Sequence, residues 1–410
     1  MLTPSSNRTL HGHMAALALE CAMIACAPDG STPNGPGSTG LPPAPAVSCA
    51  LPRAYLHDGG VGRDGIPSLV NPPLVTPESP EARYLLEYES LRNEVPEFPD
   101  LRVVGLIVEG TPVAVPHNIL WWHEIVNLDV GTRRVAVTYC PLTGSALVFD
   151  ASAVPTERFG VSGLLFKNNL MMFDPETGSL WPQMMAGAAC GSRAGMSLPT
   201  VPHAEMRWAA WLALHPDTRV VSSATGWARD YARYPYDLYE SASFLLFPMD
   251  DLADARRPDK ERVLGLPDRD GGVAFPFGLL AEQGAVAVVE QVAVGRSIVV
   301  LWDGAAQSAQ AFERRSETGT ASLTVTTGRI VDRETGSRWT VDGWAVTGPR
   351  VGERLVPVVE AHAAFWLAWV AFQPATRVWQ PSSVALSVPE PLATFPPWGP
   401  GSSVGRATDF

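Results

Sequence analysis

Hydrophobic positions along the chain come in short runs punctuated by Gly and Pro. The runs at 102–108, 112–115, 134–139, 145–149, 159–161 and 169–173 are rich in Val, Leu and Phe and predict strands. Asp174 to Gly178 predicts a turn, because Asp, Pro and Gly supply the special backbone angles a turn needs. Helical spacing occurs at Ala204 to Leu214, where Trp208, Trp211 and Leu212 fall on one face. It recurs at Ala363 to Phe372 with Phe365, Trp366 and Trp369, and a further helix is predicted over Asn118 to Asn127, after Pro116. The pattern predicts a β-rich α+β fold, built on mainly antiparallel sheets with a few helices.

The same grammar occurs twice. Residues 174–181 read Asp-Pro-Glu-Thr-Gly-Ser-Leu-Trp and residues 332–339 read Asp-Arg-Glu-Thr-Gly-Ser-Arg-Trp. Downstream, Gly191, Gly195 and Leu198 correspond to Gly348, Gly352 and Leu355, and Trp211 to Trp369. Upstream, Val104-Gly105-Leu106 matches Leu264-Gly265-Leu266. The matched stretches are 100–221 and 260–379, a period of about 160 residues, which predicts an internal duplication into two tandem similar halves rather than a solenoid. The first repeat takes in 54–259, with an inter-repeat insertion at 222–259, and the second takes in 260–385.

The chain's beginning predicts a different job. Met14 to Ala25 is an apolar stretch of signal-peptide length, ending in Met23-Ile24-Ala25-Cys26. That ending resembles a bacterial lipoprotein processing box, which implies a signal peptide over 1–26 and lipidation of Cys26 as the mature terminus. Residues 27–53 are rich in Pro, Gly and Ser and read as a flexible tether. The expectation is an exported lipoprotein of the cell envelope, held to a membrane on its periplasmic or outer side. The end of the chain, 386–410, reads as a disordered tail.

Composition narrows the partners. A net charge of -12 and the lack of any long basic run exclude a nucleic-acid phosphate footprint. With Cys21 in the leader and Cys26 set aside, Cys49, Cys140 and Cys190 remain. That odd number argues against a disulfide scaffold and leaves at least one of them free, metal-bound or paired with another chain. Cys190 has no counterpart in the second copy and reads as incidental.

Polar residues present in one copy only are the candidates for function. The first copy carries Trp121-Trp122-His123-Glu124-Ile125-Val126-Asn127 and Thr138-Tyr139-Cys140-Pro141-Leu142-Thr143. The second has Ala281-Glu282-Gln283-Gly284 and Leu301-Trp302-Asp303-Gly304 in those places. With Phe159 to Leu165, Asp174 to Trp181 and Lys260 to Gly265, these stretches resemble the bacterial family DUF3179, a domain of unknown function, from about 60 to 380. The resemblance implies a family and not an activity. Members often read Cys-Pro-Leu-Cys; Thr143 replaces the second cysteine here, which argues against a dithiol redox role.

Three functions stay open, and whether the protein is an enzyme stays open with them. Thiolate and imidazole suit copper or zinc, so Cys140 and His123, completed by Met171, Met172 or Glu124, form a candidate metal set. Alternatively Cys140 is a nucleophile with His123 as its base and Glu124 or Asp150 orienting it. The third reading is a non-catalytic module that binds a small ligand or a protein partner. His203 and His215 read as structural, and the aromatic stretch 227–239 as a packed surface loop, the alternative being a cleft lining or a sugar-stacking surface. No GxGxxG, P-loop, HExxH or GxSxG motif points to a common cofactor or hydrolase class.

Overall fold

The strand Arg102–Val108 turns back through a tight hairpin onto Thr111–Pro116. His203–Arg207 adds to the free side of the first strand, and Arg219–Val221 runs parallel to the second. A meander of Ile125–Val130, Arg133–Cys140 and Ser145–Asp150 follows, then Gly160–Phe166, Asn169–Phe173 and Leu180–Pro182 in a third sheet. The computed structural model describes residues 49–86, 101–247, 249, 254–268, 270–293 and 295–381. The leader with Cys26, most of the 27–53 tether and the 386–410 tail lie outside them. Described residues up to Trp379 belong to one compact unit, β-rich and mainly antiparallel with few helices, as the alternation predicts.

From Arg262 onward the strand order runs again. Arg262–Leu266 pairs with Val273–Pro276, flanked by His362–Phe365 on one side and a parallel Arg377–Val378 on the other. Val286–Ala293, Arg296–Asp303 and Ser308–Glu313 form the meander, and Leu323–Thr326, Arg329–Asp332 and Arg338–Trp339 the third sheet. Local details coincide too. Trp211 Nε1 donates to Thr218 Oγ1 at 2.9 Å, and Trp369 Nε1 to Thr376 Oγ1 at 2.9 Å. A Cβ at Gly105 would overlap the Trp211 ring, and one at Gly265 the Trp369 ring, so both strands need glycine there. At the turns, Arg193 meets Asp174 at 3.0 Å and Arg350 meets Asp332 at 3.0 Å.

The two stretches are not separate domains. One hydrophobic core gathers Val104, Val137 and Met206 together with Leu301, Phe312 and Trp339. The backbone is shared reciprocally: Arg207 N–H donates to Ala306 O at 2.9 Å, and Phe365 N–H donates to Thr143 O at 2.8 Å. Each stretch therefore completes a turn of the other.

Three predicted helices are shorter than their periodicity suggests. The first is His117–His123 alone, because Glu124 turns left-handed and the β-branched Ile125 and Val126 pair with Thr138 and Val137. The others are Trp208–Leu214 and Trp366–Phe372. The residues before each, which helical spacing had included, are edge strands whose backbone groups are satisfied by Arg102–Val108 and Arg262–Leu266. The cysteines also correct the sequence reading: Cys49 and Cys190 form a disulfide across 141 residues, so Cys190 fastens the end of the tether to the third sheet and is not incidental. Cys140 is the free cysteine among the described residues.

Candidate functional site

The helix His117–His123 ends where its chain must enter a sheet, and Glu124 makes the junction. Its N–H donates to Leu120 O at 2.8 Å, closing the last helical turn, while its C=O accepts from Tyr139 N–H at 2.8 Å. Meeting both demands sets φ at 55° and ψ at -32°. A non-glycine residue held there costs about 1–3 kcal/mol and persists where the surroundings enforce it. The side chain is 6% exposed and has no hydrogen-bond or ion-pair partner among the described residues. Burial alone pushes its carboxyl up to about 8, so it is neutral at neutral pH.

Glu124 is among the residues lining a solvent-open cavity. Trp121 and Trp122 come from the same helix, and Val161, Leu164, Leu165 and Leu170 from the Gly160–Phe166 and Asn169–Phe173 hairpin. The 222–259 insertion closes over it with Tyr236, Leu246 and Phe247. The aromatic insertion is thus a wall of the cavity as well as a packed loop.

His123 holds the insertion in place. Its Nδ1 lies 2.7 Å from Pro67 O and its Nε2 2.7 Å from the Tyr231 hydroxyl. A carbonyl only accepts, so Nδ1 carries the proton and Nε2 accepts from Tyr231, whose oxygen also meets Thr225 Oγ1. Burial pushes His123 down to about 4, keeping the ring neutral. Both ring nitrogens are engaged and neither is free for a metal or a thiol.

Cys140 ends the Arg133–Cys140 strand, buried, with its sulfur 3.6 Å from Asn168 O. Burial pushes its thiol up to about 11, away from thiolate character. Cys140 and His123 are not hydrogen-bonded to each other, as a nucleophile and base would be. Asp150 does not orient His123: it pairs with Arg133 at 2.6 Å and accepts from Ser152 N–H at 3.0 Å. The metal set does not assemble either. Alternation along Asn169–Phe173 sends Met172 into the core of Cys140 and Met171 into that of Cys190. Among the described residues no three of His, Cys, Asp and Glu gather as metal ligands, Cys140, His123 and Glu124 included. Thr143, in the place of the family's second cysteine, joins a buried network with Ser145 Oγ at 2.8 Å and Asn169 Nδ2 at 3.0 Å.

A second buried polar cluster lies where the two stretches meet. Arg102 Nε and Arg262 Nη1 reach Glu205 Oε1 at 3.1 and 2.8 Å, with His117 Nε2 3.7 Å away. Burial would raise Glu205, but Arg262 and then Arg102 outweigh it and hold the carboxyl at about 2. The His203 ring lies between Val201 O and Ala146 O, 3.0 and 3.1 Å from its two nitrogens, and its one N–H donates to one of them, while His215 pairs with Asp342 at 2.8 Å; both are structural as expected. Sequence reasoning missed Glu205 and Tyr231. Comparing the two similar stretches carries the signal for Glu205, a charged residue where the second stretch has Ala363.

The chain matches the family model described as "Protein of unknown function (DUF3179)" over residues 63–376, and it belongs to that family. No curated protein and no solved structure matches it. Among the described residues no helix is long and apolar enough to cross a membrane.

Proposed function

We propose that the protein is a non-catalytic ligand-binding module whose ligand occupies the apolar cavity beside the His117–His123 helix. Glu124 carries this reading: an unpartnered carboxyl on left-handed backbone, in a wall otherwise made of rings and alkyl groups. Stability alone favours an apolar side chain there, since an unpaired buried polar group is costly. Small-molecule sites have this composition, mostly apolar with one or a few polar groups that fix orientation. Calorimetric titration of the purified chain with small apolar probes tests it. One-to-one binding is expected, abolished by Leu165→Trp, which fills the cavity, with the far-ultraviolet circular dichroism unchanged. Binding that survives in a folded Leu165→Trp variant ends the reading.

We also propose that the two stretches descend from a duplicated half. Their common strand order, the Trp211–Thr218 and Trp369–Thr376 pairs and the reciprocal backbone bonds support it. Export to the cell envelope with a lipid on Cys26 is a proposal too. Its support is the Cys49–Cys190 bond, a linkage that persists in oxidising compartments. A Cys26→Ser chain that fractionates as the parent does overturns the lipid anchor.

A further inference from the structure

The cavity's walls also bear on the chemistry of what fills it. Its one ionisable acid is Glu124, and no Lys, Arg or His is among the lining residues described. Four rings, Trp121, Trp122, Tyr236 and Phe247, share the space with it. An anionic ligand would meet an acid and no countercharge. A purely apolar ligand would leave the carboxyl unpaired. An ammonium group satisfies both features, because a carboxylate pairs with it and aromatic faces attract it. Resting on the ligand-binding reading above, we infer that the cavity takes a hydrophobic primary amine, its ammonium paired with Glu124 and its apolar body against the hairpin and the rings.

The surroundings permit that pairing. The thiol of Cys140, on the adjacent Arg133–Cys140 strand, is the titratable group whose charge couples to Glu124, and it stays protonated at neutral pH. His123, next in the chain, is neutral and turned to Pro67 and Tyr231. The Arg229 guanidinium stacks 5.9 Å from the Trp122 ring and does not line the cavity. The proton balance follows. Free Glu124 is protonated at neutral pH, and the amine arrives as R–NH3+. On binding, the carboxyl O–H breaks, one proton leaves to solvent, and carboxylate and ammonium form the pair. Each amine bound releases one proton, and affinity rises about tenfold per pH unit until the free carboxyl ionises.

The test is isothermal calorimetry on the full purified chain with hexylamine, hexanol and hexanoic acid, in two buffers of different ionisation enthalpy. Hexylamine is expected to bind at least about tenfold more tightly than hexanol and to release close to one proton. Glu124→Gln is expected to abolish the proton release and the preference for the amine while hexanol still binds. The release is also read on the unaltered protein, so the outcome does not hang on that variant folding. Hexanol or hexanoic acid binding as tightly as the amine, in a manner blocked by Leu165→Trp, overturns the amine and leaves the cavity reading standing. Failure of all three probes to bind there removes both.

Discussion

Arg102 and Arg262 open the two similar strand arrays and both donate to a single oxygen, Oε1 of Glu205. Arg102 also donates to Gln307 O at 3.0 Å and Arg262 to Gly144 O at 3.4 Å, so each arginine reaches across to the other array. The carboxylate is supplied by one array only, since Ala363 faces Leu264 where Glu205 faces Val104. Glu205 therefore serves both guanidiniums at the seam, and Glu240, 3.6 Å from Arg262, is a second carboxylate for that arginine alone.

Glu205→Gln is expected to destabilise the protein by about 3–5 kcal/mol, because it leaves the buried Arg102 without its countercharge and Arg262 with the more distant Glu240 alone. Denaturant unfolding at neutral pH measures this. The wild-type carboxyl, held at about 2, lies below its unfolded value. Its contribution is complete above about pH 4.3 and is lost as pH falls through the folded value. The variant should lack that acid limb.

Between those acid conditions and neutrality other groups set the slope. Burial keeps His117 at about 3, and His123 and His362 at about 4. From there up to about pH 6.5 the unfolded chain binds protons that the folded state refuses, so stability rises with pH. Glu124 acts oppositely. Its folded value of about 8 exceeds the unfolded one, so the native state keeps a proton the unfolded chain has lost, and stability falls as pH climbs towards 8. Thermal melts should peak near about pH 6.5. Glu124→Gln should flatten the descending side and gain on the order of 2–4 kcal/mol at pH 8.

Peptide mapping without reduction should recover the segment around Cys49 cross-linked to that around Cys190. Replacing either by Ser should cost about 2–5 kcal/mol. Cys140, buried with a raised thiol, should resist alkylation until the chain unfolds.

Gly105→Ala and Gly265→Ala each force a methyl against an indole, of Trp211 and Trp369 respectively. Each should lower stability by about 1–3 kcal/mol, and by similar amounts, since the two environments match. Equilibrium unfolding of the two single variants gives the comparison.

Much of the strand grammar was legible because alternation and turn chemistry are local. Arg134 to Tyr139 and the Asp174 and Asp332 turns fall where their residues put them. Spacing over 118–127 reads as a helix longer than the real one because Ile125 and Val126 fit either period until a partner strand decides. The same holds for Ala204 to Arg207, whose pairing with Arg102 to Gly105 spans a hundred residues. His123 and Cys140 stand out in the sequence from the second stretch, but what their functional groups do depends on neighbours that the sequence does not reveal. Tyr231 occupies the imidazole nitrogen a metal would need. The cavity was illegible because its walls come from Val61, Leu165 and Phe247, positions that no spacing relates.

The crossed bonds Arg207 to Ala306 and Phe365 to Thr143 leave no seam along which one array can melt while the other holds. Loss of either removes a turn partner, the Glu205 countercharge and part of the common core together. Heat should therefore disassemble the chain in one calorimetric step, with van't Hoff and calorimetric enthalpies agreeing, although its length alone would suit two independent transitions. A fragment ending near Val221 should be unable to hold its own shape.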